Sequence, residues 1–435
     1  MSKIIHKNNS VLVVTLGCSK NVVDSEKLMK QLSANSLAVE FDEENSSART
    51  VIINTCGFIS DAKKESVDTI LKYTNEKLKG RIDNLFVMGC LSQRYKDTLL
   101  KEIPEVDGFF GVNQFEQIVK ALGYRYRHEL IGERIISTPS HYAYLKISEG
   151  CNRKCSFCAI PQIRGAYHSF PLLDLLKEAE LLAEQGVKEL IIIAQDSSIY
   201  GKDLNNKFLL PKLIDELSKL NKIEWIRIHY AYPKDFPNEL LNVIRDNPKV
   251  CKYLDLPIQH ISDKMLKLMR RGLNKQKTIK LIDKIRGEIP GINLRTTLLI
   301  GHPGETNKDF MELMEYIEEA RFERLGTFIY SHEDNTYSAF RYKDSIPLSV
   351  KKKREHDIMT LQKRISLEKN QRIIGETLKV IVDRREGMHY FGRTEYDSPE
   401  IDNEVLIETN NELDIGTFYQ VKIVDANEYD LKGIY

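Results

Sequence analysis

The chain has 435 residues, with 64 Lys plus Arg against 63 Asp plus Glu, so its net charge of +1 singles out no class of partner. Hydrophobic residues at 42% and charged residues at 29% exclude a disordered or fibrous chain, and the length implies two or three domains. No run approaches the roughly 18 apolar residues of a membrane helix. The polar opening MSKIIHKNNS also lacks the apolar core of an export signal. A soluble, cytoplasmic protein with no membrane partner is expected, and its seven cysteines then point to metal binding or chemistry rather than to disulfides.

In residues 9–125, the apolar runs VLVVTLG (11–17), TVIINT (50–55), NLFVMG (84–89) and the weaker DGFFGV (107–112) alternate with helical patterns such as Asp24 to Leu32 and Asp61 to Tyr73. Buried strands alternating with helices predict a doubly wound α/β domain with a parallel sheet. A stretch without strong periodicity, 126–141, reads as a linker. Residues 137–368 then hold six strand candidates: AYLKI (143–147), ELIIIA (189–194), EWIRIHYAY (224–232), KYLDLPI (252–258), INLRTTLLI (292–300) and LGTFIY (325–330). Six βα units in this length predict a (β/α) barrel-like sheet, complete or partial, with its active site at the carboxyl ends of the strands. Pro347 opens a charged stretch expected to form a long exposed helix ending at Gly375. Residues 371–435 read as a small all-β module.

Cys151, Cys155 and Cys158 form CNRKCSFC just after the first barrel strand. Three thiolates on one short loop can hold three irons of a four-iron cluster and leave the fourth iron open to a ligand. A structural zinc site completed by a residue such as His168 is the alternative, because thiolates suit both. Cys18, Cys56 and Cys90 each follow a predicted strand of the first domain and each stands within a glycine-containing turn: LGC, CG and GC. In a doubly wound sheet such strand ends line one crevice, so these three are expected to converge. The alternative is three buried structural cysteines. Cys251 has no such partner and reads as a core residue.

The turn Gly301 to Thr306 is either a glycine loop that a ligand approaches or a plain turn in which Glu305 or Thr306 caps the next helix. Gln195 and Asp196 follow a barrel strand and either contact a cofactor or begin a loop. His260 and His302 lie at strand ends, where a lone histidine is usually a hydrogen-bonded structural group. The basic run Lys351 to Arg354 reads as a solvated helix face rather than a nucleic-acid contact. From Gly375 to Tyr435 there are 6 Lys plus Arg against 14 Asp plus Glu, a net charge of −8. Such a module repels RNA phosphate and favours a basic protein, arguing against direct tRNA binding.

The segment EGCNRKCSFCAIPQIRG (149–165) resembles the radical S-adenosylmethionine signature of the methylthiotransferases. TLGCSKNVVDSE (15–26), NTCGFI (54–59) and MGC (88–90) resemble that family's N-terminal domain, and the C-terminal strands resemble a TRAM module. The resemblance spans nearly the whole chain, with six cysteines in the family's order. AQDSSIYG, DLPIQH and GRTEYDSPEID are similar to the branch that modifies the twelfth small-subunit ribosomal protein rather than to the tRNA-modifying branch. Three residues depart from the family pattern: Ser19 and His332 stand where proline is common, and His302 where phenylalanine is common. None is a cluster cysteine.

The resemblance implies two [4Fe-4S] clusters and S-adenosylmethionine as cofactors. Cys151, Cys155 and Cys158 would ligate the cluster whose open iron chelates S-adenosylmethionine, and Cys18, Cys56 and Cys90 an auxiliary cluster that presents sulfur. A 5′-deoxyadenosyl radical would then open the β-carbon of an aspartate to methylthiolation. Gln195, Asp196 and Gly301 are the expected S-adenosylmethionine contacts. Besides the ribosomal protein, free or on the ribosome, an electron donor and a sulfur donor are implied partners. A tRNA adenosine methylthiotransferase and a non-catalytic iron–sulfur or zinc protein that binds ribosomes are the competing readings.

Overall fold

The computed structural model describes residues 10–435, and most of the polar opening read for an export signal lies outside them. The chain divides into two compact units. The first takes in the chain through Thr138, then Tyr144–Asn152 and Ala159–Leu181; the second takes Pro139–Ala143, Arg153–Cys158 and Leu182–Tyr435.

The first unit is built on five strands: β1 (Ser10–Thr15), β2 (Ala38–Phe41), β3 (Thr50–Thr55), β4 (Asn84–Gly89) and β5 (Gly108–Phe109). They lie in the order β2-β1-β3-β4-β5, every pair parallel. Strand alternation sends Leu12, Val51, Ile53, Leu85 and Val87 into one apolar layer, and Val11, Val13, Ile52, Phe86 and Met88 into the other. With both faces covered, β3 is buried at every position, which is why TVIINT is a continuous apolar run rather than an alternating one. Helices Ser19–Ser33, Ser60–Leu78 and Cys90–Glu102 cross between the strands. β2, unforeseen from the sequence, is a short edge strand left partly exposed, and DGFFGV contributes only two strand residues. This unit also holds most of β6 (Tyr142–Lys146) and a short antiparallel ladder of β7 (Ser148–Glu149) with β8 (His168–Ser169).

In the second unit a six-stranded sheet runs β13-β12-β11-β10-β9-β6, with β9 (Glu189–Ile193), β10 (Trp225–Ile228), β11 (Val250–Asp255), β12 (Asn293–Ile300) and β13 (Arg324–Ile329). β6, whose first two residues belong here, forms one edge. The strands follow chain order and β9 through β13 pair in parallel, so the sheet is an open, partial barrel. The strand expected over EWIRIHYAY ends at Ile228, because Tyr230 adopts a left-handed backbone (φ 59°) that breaks the ladder.

The helix Leu348–Arg372 starts after Pro347 as expected, but it is not a freely exposed element. One face buries Ile358, Gln362, Ile365 and Asn370, so the polar composition hid a packed stripe. The basic run is likewise split. Lys352 and Lys353 are exposed, whereas buried Arg354 pairs with Glu305 (2.7 Å) and buried Lys351 with Asp344 (2.7 Å).

The last strands, β14 (Thr377–Glu386), β15 (His389–Thr394), β16 (Val405–Glu408), β17 (Phe418–Ala426) and β18 (Leu431–Ile434), close into a barrel in the order β14-β15-β16-β18-β17. This barrel meets the amino-terminal ends of the larger sheet's strands through buried charge. Glu189, the first residue of β9, lies between Arg227 of β10 (2.7 Å) and Arg393 of β15 (2.8 Å), all essentially without solvent contact. Arg393 also holds Asp383 (2.7 Å), and Arg227 donates to the Glu395 carbonyl (2.7 Å). Tyr253 donates to Asp402 (2.7 Å), and Arg324 pairs with Asp397.

Burial alone would raise the Glu189 carboxyl, but the Arg393 and Arg227 guanidiniums outweigh it and hold it below the usual carboxylate range. A depressed carboxylate stabilises the fold above its unfolded value of about 4.3 and loses that contribution as pH falls through the folded value. Breaking a buried pair from one side costs about 3–5 kcal/mol. Glu189→Gln is therefore expected to lower the unfolding temperature clearly at pH 7 and by much less near pH 3, measured by differential scanning fluorimetry. An equal effect at both pH values would contradict the charge-based account.

Candidate functional site

The first unit gathers its cysteines through topology. Cys18 follows β1, Cys56 follows β3 and Cys90 follows β4, and these three strands are consecutive neighbours in the sheet. Parallel neighbours lie about 4.8 Å apart, so their carboxyl ends present the three thiols on one edge. Cys56 feels the Cys18 thiol electrostatically, and Cys90 feels both. Cys18 is the N-cap of the helix Ser19–Ser33, and Cys90 begins the helix Cys90–Glu102. Both therefore sit where the helix dipole favours negative charge.

The residues around this edge explain the TLGCSKNVVDSE stretch. Asn21 donates to the carbonyls of Leu16 (2.7 Å) and Thr55 (3.1 Å), tying the ends of β1 and β3 together. Asn54 in turn donates to the Asn21 carbonyl (2.9 Å) and to Ser25 (3.0 Å). Arg164, buried, reaches Asn21 Oδ1 (2.5 Å), Cys90 Sγ (3.5 Å), Asp24 (2.7 Å) and Glu149 (3.1 Å). Lys146 pairs with the same two carboxylates, so two buried cations meet two buried anions beside Cys90. Burial pushes the Cys90 thiol up to about 12 and raises that of Cys56. A metal binding there must displace the thiol protons and take up the thiolate charge.

Cys151 belongs to this unit; its N–H donates to the Gly165 carbonyl (3.1 Å), next to Arg164. His168, the alternative zinc ligand, is exposed and stacks edge-on against Phe170.

In the second unit, Cys155 and Cys158 flank Ser156, whose backbone is held at both ends. Its N–H donates to the Met269 carbonyl (3.0 Å), and its carbonyl accepts from Ser338 (2.7 Å). Cys155 Sγ lies 3.2 Å from Arg271 Nη1 and 3.5 Å from the Tyr232 hydroxyl. The Tyr232 ring carries two guanidiniums, Arg153 at 4.2 Å and Arg271 at 4.1 Å from its centroid.

Both oxygens of Asp196 are in use: one accepts from Ser198 N–H (3.1 Å) and hydroxyl (2.5 Å), the other from Arg153 Nε (2.7 Å). Gln195 stands beside it at the end of β9. Gly301 ends β12 with φ +71°, a backbone only glycine adopts freely, and its N–H donates to Glu305 (2.7 Å). Thr306 caps the next helix in a capping box with Asp309, so the turn serves that helix whatever else it contacts.

The two strand-end histidines are neutral at physiological pH. Burial brings His260 down to about 3, and its Nδ1 accepts from the N–H groups of Ile261 and Ser262. Burial brings His302 down to about 4, and its ring contacts Ser156 (3.1 Å) and Ser338 (3.3 Å). His302, one of the departures from the family pattern, is thereby tied to the cysteine loop. Ser19 stands at the first position of its helix, where serine and proline are both accepted. Cys251 packs in the core with Trp225, Tyr253 and Ile381.

Arg164, Tyr232 and Arg271 escaped the sequence reading, because long-range partners leave no local spacing. Only the helix stop in LMRRG hinted at a constrained arginine. Among the described residues, no three His, Cys, Asp or Glu side chains surround one point as a single metal ion requires. The donor chemistry nevertheless suits clusters: thiols at neighbouring strand ends, glycines leaving room, and buried guanidiniums at Cys90 and Cys155 to balance thiolate charge.

Comparison with known proteins completes the picture. Residues 145–317 match the radical SAM superfamily, 10–111 the uncharacterized protein family UPF0004, and 374–435 the TRAM domain. The chain is 52% identical to the ribosomal protein uS12 methylthiotransferase RimO of Cytophaga hutchinsonii, over 98% of each chain. It is 53% identical to the RimO of Christiangramia forsetii, over 98% of this chain and 94% of that one. The chain belongs to the RimO family.

Solved structures resemble it in fold alone. The radical S-adenosylmethionine methyltransferase TsrM from Kitasatospora setae, with cobalamin and a [4Fe-4S] cluster bound, aligns over 76% of this chain and 74% of its own. Its TM-score is 0.54 at 15% identity. The cobalamin-dependent radical enzyme OxsB gives 0.52 at 14%, covering 76% of this chain and 54% of that one. RimO-family membership agrees with the α/β sheets and closed C-terminal barrel described above.

The tight packing around the first trio is testable. A Cβ at Gly17 (φ +92°) would lie 2.7 Å from Cys56 Cβ and 2.9 Å from its sulfur. Left-handed backbone costs a non-glycine residue about 1–2 kcal/mol, roughly tenfold in local opening. Gly17→Ala is expected to speed labelling of Cys56 by a thiol reagent about tenfold in the metal-free protein, read by peptide mass spectrometry. An unchanged rate would mean the two residues do not pack as described.

Proposed function

We propose that the chain is a radical S-adenosylmethionine methylthiotransferase that replaces a hydrogen on the β-carbon of an aspartate in ribosomal protein uS12 with a methylthio group. The observation that carries this reading is the placement of Cys18, Cys56 and Cys90 at three adjacent strand ends, in a chain about 52% identical over its length to relatives named uS12 methylthiotransferases. Cys151, Cys155 and Cys158 ligate one [4Fe-4S] cluster, and Cys18, Cys56 and Cys90 an auxiliary one. A four-iron cluster held by Cys151, Cys155 and Cys158 would, with S-adenosylmethionine, supply the one-electron chemistry that opens an unactivated C–H bond.

The chain's own residues bind, orient and balance charge. Asn21 and Arg164 hold the Cys90 edge, while Ser156, His302 and Tyr232 fix the Cys155 loop. Gln195 and the Gly301 turn contact S-adenosylmethionine at the carboxyl ends of β9 and β12. Asp196 acts beside them by fixing Arg153.

The C-terminal barrel, with its net charge of −8, serves as the docking element for a basic protein rather than for RNA. It packs on the amino-terminal ends of the strands, opposite to the ends that carry Gln195 and Gly301. Strands of five to eight residues place those two edges about 20 Å apart. The substrate is therefore gripped away from the residue that reacts.

An external one-electron donor and a sulfur donor complete the reaction, which takes place in the cytoplasm. Among the described residues, no helix is long and apolar enough to cross a membrane.

Anaerobic analysis of the purified chain is expected to give about eight irons, falling to about four when Cys151, Cys155 and Cys158 are all replaced by Ala. Zinc in place of iron after reconstitution sinks the reading. Under reducing conditions with S-adenosylmethionine, uS12 is expected to gain one methylthio group by mass spectrometry and tRNA none. The opposite result assigns an RNA substrate.

A further inference from the structure

Among the described residues, three cations near the two cysteine regions pair with carboxylates, and a fourth, deeply buried one has none in direct contact. Arg164 and Lys146 share Asp24 and Glu149, and Arg153 pairs with Asp196 and Asp235. Arg271, 5% exposed, forms no ion pair with a carboxylate among the described residues. Its Nη1 points at Cys155 Sγ (3.2 Å), its Nη2 donates to the Pro257 carbonyl (2.5 Å), and its Nε has no partner.

The backbone aims this side chain. The helix Asp263–Leu268 ends with Arg270 in the left-handed region (φ 57°), and the Arg271 N–H closes back on the Leu266 carbonyl (3.0 Å). The Tyr232 ring covers the guanidinium and donates its hydroxyl to the Arg271 carbonyl (2.9 Å). Burying a guanidinium this deep with no carboxylate in contact is costly, and a π face offsets only part of that cost. The nearest group able to carry a full negative charge is the Cys155 thiolate; Asp196 acts on Arg271 only at longer range and is already paired with Arg153.

We propose that Arg271 is the built-in counter-charge of the Cys155 thiolate, a positioning residue that sets the reduction potential of the cluster held by Cys151, Cys155 and Cys158. This rests on the cluster assignment under Proposed function. An N–H···S bond and a nearby positive charge both stabilise the cluster's more negative, reduced form, so Arg271 raises its potential. The electron then enters a cluster already primed to accept it.

The test uses the full-length chain with Cys18, Cys56 and Cys90 replaced by Ala, so that one cluster alone reports. Its midpoint potential is measured by redox titration followed by electron paramagnetic resonance, with iron determined in the same samples. Arg271→Met removes the charge while keeping an unbranched side chain. It is expected to disfavour reduction about tenfold, a fall of about 59 mV for a one-electron couple. Arg271→Lys keeps a charge without the planar fork and is expected to fall between the two. If Arg271→Met does not fold or does not retain iron, Arg271→Lys alone decides.

Unchanged potential in the iron-loaded variants overturns the proposal, since a purely structural arginine would not move it. Absence of iron from the parent, which retains Arg271, instead overturns the cluster assignment itself.

Discussion

Parallel strands all deliver their carboxyl ends to the same edge, and the chemistry of this protein depends on that geometric rule. Cys18, Cys56 and Cys90 are separated by dozens of residues, yet each stands within three residues of a strand's carboxyl end, and the three strands are immediate neighbours. No loop has to reach across the fold to assemble them. The rule also brings helix N-termini to that edge, because each parallel strand turns there into its crossover helix. Thiolate charge thus meets favourable dipoles without any dedicated residue. In the second unit the same edge carries Cys155, Asp196, His260 and Gly301.

The buried charges fall into closed sets. Beside Cys90, two cations meet two carboxylates. At the opposite edge of the larger sheet, Glu189 and Asp383 answer Arg227 and Arg393. Each set is nearly neutral, so little net charge is left in a low-dielectric interior. Against this pattern the Arg271 guanidinium, with Cys155 Sγ rather than a carboxylate in contact, stands out.

Strand periodicity and cysteine placement were the legible parts of the sequence. TVIINT and NLFVMG are strands over their whole length, because strands covered on both faces need unbroken apolar runs. Short strands were harder: β2, at the sheet edge, and β18, within the barrel, are partly solvated, so neither carries a continuous apolar signal. The helix Leu348–Arg372 was found, yet its burial was not, since Arg354 and Gln362 enter the interior on the strength of distant partners, Glu305 and the Phe322 carbonyl. The same limit applies to the site. Cysteine spacing is local and visible, whereas Arg164, Tyr232 and Arg271 gain their meaning from residues between about 70 and 140 positions away, which no periodicity records.

The ionic joint around Glu189 also governs how modular the acidic barrel is. Deleting residues after the helix Leu348–Arg372 would remove Arg393 and the Glu395 carbonyl, leaving Glu189 and Arg227 stranded on a newly wetted sheet edge. Tyr253 and Arg324 would lose Asp402 and Asp397 in the same cut. The barrel is thus an interlocked half of a charged seam rather than a bead on a tether. A replacement domain from another protein would have to reproduce the arginine and aspartates at matching positions.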